Sequence, residues 1–321
     1  MKKQFFVGII ILASLLVAVF LRSPYIIHVI NLAYIQCLLT LGFLVCFVTG
    51  RLHFGMAGFW AIGSYTSALL SVNLHWPFWF CLPVAGIVSA LIGVAIGRFV
   101  LSRGPSSFIL LTWAFAEVIR LTAVNARELL GGASGISGIS LPRIIYPGGC
   151  IEFTSRESFY YLFLIILILA IIFLYRLYNS QVGRALRAVG QNEFLAESLG
   201  MNVLKYRLIG FTICCFFAGI AGSMYAHYIT YICPSSFTIW QSLAIEIFAI
   251  VGGLNNFIAG PVLGPLFMTI VPEIFRSYYL WVPVIYGAIG ILVILLMPKG
   301  LASLGRTFLS LVESRVKGKG A

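Results

Sequence analysis

The chain has 321 residues, of which 61% are hydrophobic and 9% charged, with a mean hydropathy of +1.04. A soluble domain of ordinary composition is excluded, because the polar surface is too small to cover it. The net charge of +12 does not imply nucleic acid, since the cations lie mainly in short connections and no basic–aromatic stretch suited to single strands occurs. Apolar runs near the roughly 20 residues that a bilayer helix needs recur from end to end. The expected fold is therefore all-α and polytopic, one transmembrane domain over 1–321, each helix satisfying its own backbone groups in lipid.

Ten spans are expected, near 5–21, 26–49, 54–73, 78–98, 106–124, 158–177, 206–231, 238–253, 258–275 and 281–297. Lys2 and Lys3 precede the first, as in a secretory leader. No small-residue cleavage site follows and a second span begins at once, so it reads as an uncleaved helix. The third, FGMAGFWAIGSYTSALLSVN, is rich in small residues. Gly55, Gly58 and Gly63 there suit either close helix packing or a helix broken where it lines a path.

Glu117, Glu246 and Glu273 fall within or near the ends of spans, where a carboxylate marks a function or an ion pair. Glu117 and Arg120, three apart, can pair on one helix. Glu246 has no local partner and either stays neutral, pairs across helices or faces a pathway. Glu273, after Pro272, reads as interfacial.

The longest external connection, about 125–157, contains GGASGISGIS (131–140), flexible by composition and long enough for a partner or substrate contact. His227, near Tyr225 and Tyr228, reads as part of an external aromatic belt, with no metal-ligand spacing around it. VGGLNNFIAGPVLGP (251–265) predicts a tight turn at or within the membrane. The seven Cys (37, 46, 81, 150, 214, 215, 233) lack CxxC spacing and read as small core residues, with Cys150 apart in an external loop.

Between strongly apolar blocks lies a polar segment, about 179–205, continuing to Arg207. Gly183 and Gly200 bracket a short amphipathic helix with Ala185, Leu186, Val189, Phe194, Leu195 and Leu199 as its apolar residues, and Glu193 and Glu197 one turn apart on a polar face. It either docks a cytoplasmic partner or lies as a solvated linker on the membrane. Fifteen Lys and Arg fall on this segment's side against six on the other, which puts both termini inside. No GxxxxGK[ST], HExxH or GxSxG occurs, and no paired carboxylates share a membrane span, so neither ATP binding nor intramembrane catalysis is expected of this chain. A free-standing secondary transporter is opposed by the sparse intramembrane charge.

RLHFGMAGFWAIGSYTSALL (51–70), SRGPSSFILLTWAFAEVIRLTAVNARELLGGASGISGI (102–139), GRALRAVGQNEFLAESLGMNVLKYRLIGFTICCFFAGIAGSMYAHYITYICPSSFT (183–238) and GILVILLMPKGLASL (290–304) resemble, in order, stretches of the LivM-type permeases. These are membrane subunits of branched-chain amino-acid ATP-binding-cassette (ABC) importers.

The resemblance implies the ten-helix importer fold and reads the 183–202 helix as the coupling helix that sits on an ATPase subunit. Gly183, Arg184, Arg187, Asn192, Glu193, Ala196, Glu197, Gly200 and Asn202 match that pattern. It also implies four partners: a homologous second permease, two ATPases that bind the ATP, and an external or periplasmic solute-binding protein. The chain would hold no cofactor of its own and would lie in a bacterial inner (plasma) membrane. Met56 stands where relatives commonly have His, Gly190 and Gln191 replace a charged pair, and Asn255 and Asn256 replace Gly and a small residue. These departures leave the cargo open among branched-chain or other amino acids, urea and short amides.

Overall fold

The computed structural model describes residues 23–146, 149–274, 281–297 and 300–303. The expected first span, 5–21, and the basic tail from 304 onward lie outside the described residues. The helices are α1 (Pro24–Phe47), α2 (Met56–Asn73), α3 (Phe78–Val100), α4 (Pro105–Asn125), α5 (Arg127–Leu130), α6 (Arg156–Asn179), α7 (Gln181–Gln191), α8 (Glu193–Ser198), α9 (Val203–Ile229), α10 (Ile239–Gly252), α11 (Ala259–Ile274) and α12 (Val282–Leu296). Nine of the expected spans coincide with helices to within a few residues. Five of these, α1, α3, α4, α6 and α9, are long and apolar enough to cross a membrane.

The centre of the bundle is α9, which packs on α1, α2 and α3. Small residues make this possible. A Cβ on Gly63 of α2 would fall 2.4 Å from the backbone of Gly219 on α9. Ser64 Oγ donates to the Gly222 carbonyl at 3.0 Å across the same seam.

Two helices begin inside the bundle. Cys214 Sγ lies 3.2 Å from Met56 Sδ, and Cys214 is about 16 Å along α9 from its start at Val203. The chain from Val48 to Gly55 therefore climbs the interior in non-helical form before α2 starts. His53, on this climb, is wholly buried against Phe211, Phe59 and Phe108, with ring centroids at 4.8, 5.6 and 6.1 Å.

The start of α10 meets it from the other direction. The Ala57 N–H donates to Ser242 Oγ at 2.9 Å, and Phe237 packs edge-on against Trp60 at 5.1 Å. Segment 54–73 is thus a shortened, unbroken helix with an extended lead. Non-helical backbone at such depth needs protein or an aqueous cavity around it.

The 131–140 stretch is ordered in this fold, against the expectation from composition. β1 (Ile136–Ser137) pairs antiparallel with β4 (Tyr231–Ile232), and β2 (Arg143–Tyr146) with β3 (Gly149–Glu152). Its glycines supply left-handed turns, with Gly135 at φ +73° where a Cβ would strike the Ile232 carbonyl. The 251–265 turn is tight as expected, and the Leu301 N–H closes on the Val251 carbonyl at 2.9 Å. Cys37, Cys46, Cys81, Cys214 and Cys215 are buried and free, and Cys233 is half-buried.

His227 does not join a surface belt. It is wholly buried, with Nδ1 2.6 Å from the Ser140 carbonyl, Nε2 3.0 Å from Ser67 Oγ, and Phe78 edge-on at 5.1 Å. Nδ1 therefore carries the proton and Nε2 accepts. The imidazole ties the 131–140 loop to α2 and α9, a contact 87 residues apart that local spacing could not reveal. His227→Phe strands the Ser140 carbonyl, which costs about 1–3 kcal/mol. The melting temperature of the detergent-purified protein is expected to drop by a few degrees, and an unchanged value would contradict this role.

Candidate functional site

The polar segment is built by three successive caps. Ser180 Oγ accepts from Gly183 N at 3.2 Å and starts α7, Asn192 Oδ1 accepts from Leu195 N at 3.0 Å and starts α8, and Asn202 Oδ1 accepts from Lys205 N at 2.9 Å and starts α9. Each such cap contributes about 1 kcal/mol. The single helix expected between Gly183 and Gly200 is therefore two. Asn192 is extended, at φ −155° and ψ 108°, and starts a second helix instead of continuing the first. Gly200, at φ +79°, ends α8, its N–H on the Glu197 carbonyl at 2.8 Å.

The matched residues mostly hold the segment in place. A Cβ on Gly183 would lie 2.2 Å from the Leu177 carbonyl, so α7 folds back hard on the end of α6. Arg184 donates to the Asn179 carbonyl at 3.0 Å and Arg187 to the Tyr178 carbonyl at 2.8 Å, its guanidinium 3.9 Å over the Tyr178 ring. Both arginines thus serve the carbonyl end of α6, where cations are favoured.

Ala196 is buried with Val189 and Val203. Glu193 takes a two-pronged ion pair from Arg207, at 2.6 and 2.7 Å. Those hydrogen bonds hold its carboxyl below the usual glutamate range, and the Arg51 charge adds to the effect.

Of the matched charges, Glu197 is left facing outward, and beside it stand three apolar side chains. Phe194 is 82% exposed, Leu195 59% and Leu199 74%. Such an apolar cluster, exposed on a capped, charged tip, suits a contact surface. Sequence reasoning named these three as the helix's apolar residues but gave them no outward role.

The candidate pathway residues divide. Gly55 and Gly58 let α2 approach α4: a Cβ on the first would lie 2.5 Å from the Thr112 carbonyl and on the second 2.7 Å from Ala116 Cα. With Gly63 against Gly219, all three sit at helix contacts. Glu117 accepts from Arg120 Nε at 3.1 and 3.0 Å and from Nη2 as well, the side-chain pair that their spacing predicts. The pair lies on a helix with few buried residues, beside exposed Leu110, Trp113, Val118 and Leu121. Glu246 is buried at 7% exposure, and its Oε1 has no hydrogen-bond partner among the described residues. Among those residues no three His, Cys or Glu side chains are grouped to hold a metal.

The family described as "Branched-chain amino acid transport system / permease component" matches residues 25–298. The chain belongs to this permease family. It is 30% identical to the high-affinity branched-chain amino acid transport system permease protein LivM of Escherichia coli, over 100% of this chain and 79% of that one. It is likewise 30% identical to the Salmonella typhimurium LivM, over 97% and 78%. The guanosine ABC transporter permease protein NupQ of Bacillus subtilis is 26% identical over 56% of this chain and 59% of its own. No solved structure matches the chain.

The chain is thus a multi-pass permease subunit of ABC import systems rather than an enzyme, and membership implies ATPase and binding-protein partners in general terms.

Proposed function

We propose that this permease moves branched-chain amino acids inward across a bacterial inner membrane, driven by ATP bound and hydrolysed on partner chains. Ten spans with both termini in the cytoplasm place the end carrying α7 and α8 in the cytoplasm. The observation that carries the coupling role is the tip of α8, where Phe194, Leu195 and Leu199 stand exposed on a segment fastened by three caps and an ion pair. One ATPase subunit docks there. A homologous second permease covers the open face of α4 and brings its own ATPase, and a solute-binding protein delivers cargo at the opposite face. The sparsely packed α4, with its Glu117–Arg120 pair among apolar residues, lines the path at that subunit boundary. Glu246 is the second carboxylate placed to face the path.

Uptake of radiolabelled leucine, isoleucine, valine, urea and guanosine into liposomes holding the assembled system tests the cargo. The reading expects the three amino acids. Urea alone would move the assignment to small amides within the same architecture, and guanosine alone to nucleosides, in keeping with the likeness to NupQ. Glu117→Gln is expected to reduce uptake several-fold while the subunits still co-purify. Equal losses in both assays would make the pair purely structural.

A further inference from the structure

The end of the bundle that carries α7 and α8 sets two buried guanidiniums around one carboxylate. Arg207, 6% exposed, spends both Nη atoms on Glu193, at 2.6 and 2.7 Å. Arg51, 4% exposed, has its Nε and Nη1 without a partner among the described residues. Packing brings the two arginines and the carboxylate to one place. A Cβ on Gly50 would touch the Gly190 backbone at 3.4 Å, and Gly190 is three residues before Glu193, just ahead of the break at Asn192. A Cβ on Gly210, one turn after Arg207, would meet Thr49 Cγ2 at 2.8 Å. Burial and the neighbouring Arg207 charge accordingly push the Arg51 pKa down, and Glu193 counters them.

A buried guanidinium with two nitrogens unsatisfied is expensive. The arrangement makes physical sense when the one carboxylate serves both arginines in turn. The two sit on different elements of the fold. Arg207 belongs to the start of α9, and Arg51 to the non-helical climb that ends, five residues on, at the interior start of α2.

We propose that Glu193 exchanges Arg207 for Arg51 when the ATPase moves the α7–α8 segment, so that Arg51 is the positioning residue that hands the motion to the start of α2. This rests on the reading of α8 as the ATPase-docking tip. The exchange is a two-state element of the kind that carries coupling between distant sites. His53, clamped by three phenylalanines two residues further on, keeps the climb stiff enough to pass the displacement on.

The test uses the reconstituted complex with its binding protein. Arg51→Gln is expected to lower ATP-driven uptake about tenfold while ATP hydrolysis stimulated by the loaded binding protein stays within about twofold. Arg51→Lys, which keeps a charge at the site, is expected to restore at least half of the uptake. The double variant R51Q/E193Q is expected to transport no worse than E193Q, since Arg51 acts through Glu193.

Failure of R51Q to assemble, a parallel fall in uptake and hydrolysis, or multiplying losses in the double variant would each overturn the exchange, as would an R51K complex as poor as R51Q. The wild-type complex runs alongside. If it shows no ATP-driven uptake, the importer reading falls and takes this proposal with it. Normal wild-type uptake with R51Q indistinguishable from it defeats this proposal alone.

Discussion

Phe194→Asp is expected to release the ATPase from this permease. The ring is 82% exposed and makes up the largest part of the apolar tip. Seating an exposed phenylalanine in a groove is worth about 1.5–3 kcal/mol, and a carboxylate in the same groove adds a desolvation cost. A central aromatic anchor of this kind commonly dominates an interface, so affinity should fall by at least about 30-fold. Because the side chain packs on little within its own chain, the melting temperature of the isolated permease should not move. Co-purification of the ATPase from detergent, beside a thermal melt, reads both quantities. Undiminished co-purification with undiminished uptake would remove the docking role of α8. The exposed Glu197 lies on the same tip, and Glu197→Lys should weaken docking in the same direction by a smaller factor.

Gly190→Val should disable the segment from the other side. An added Cβ would lie 2.0 Å from the Val48 carbonyl and 3.0 Å from Gly50 N, both of them backbone atoms that no rotamer change can move. Either α7 lifts away from the end of α1 or the turn after α1 shifts, at a cost of about 1–3 kcal/mol for overpacking. The melting temperature should fall by several degrees. Uptake should fall further than ATPase capture, because the Phe194 tip remains while its seat on the bundle is lost. A Gly190→Val protein with wild-type stability would mean that this contact is loose. By resemblance, Gly190 and Gln191 stand in place of a charged pair. In the fold, Gly190 faces inward and permits the close approach of α7 to α1.

Much of the architecture was legible because membrane helices announce themselves. Hydropathy placed nine helices to within a few residues, and the three-residue spacing of Glu117 and Arg120 was enough to pair them. Contacts between distant parts of the chain left no such trace. Arg184 and Arg187 entered only as matches to the coupling-helix pattern, and in the fold they close the carbonyl end of α6 after a fold-back at Gly183 that composition does not reveal. His227 looked interfacial because its neighbours in sequence are tyrosines, whereas its partners are Ser67 and Ser140. The polar segment's caps were written in Ser180, Asn192 and Asn202, and reading Asn192 as a cap would have split the expected helix correctly. The exposure of Phe194, Leu195 and Leu199 was hidden by the opposite prior, that apolar residues of an amphipathic helix face inward.

Leucine uptake by proteoliposomes, with ATP enclosed on the side that carries α7 and α8, tests the central claim most directly. The account predicts accumulation that needs the ATPase, the binding protein and hydrolysable ATP together, and that disappears with Phe194→Asp. Accumulation by this chain alone, without ATP and in response to an ion gradient, would contradict it and make the protein a secondary transporter.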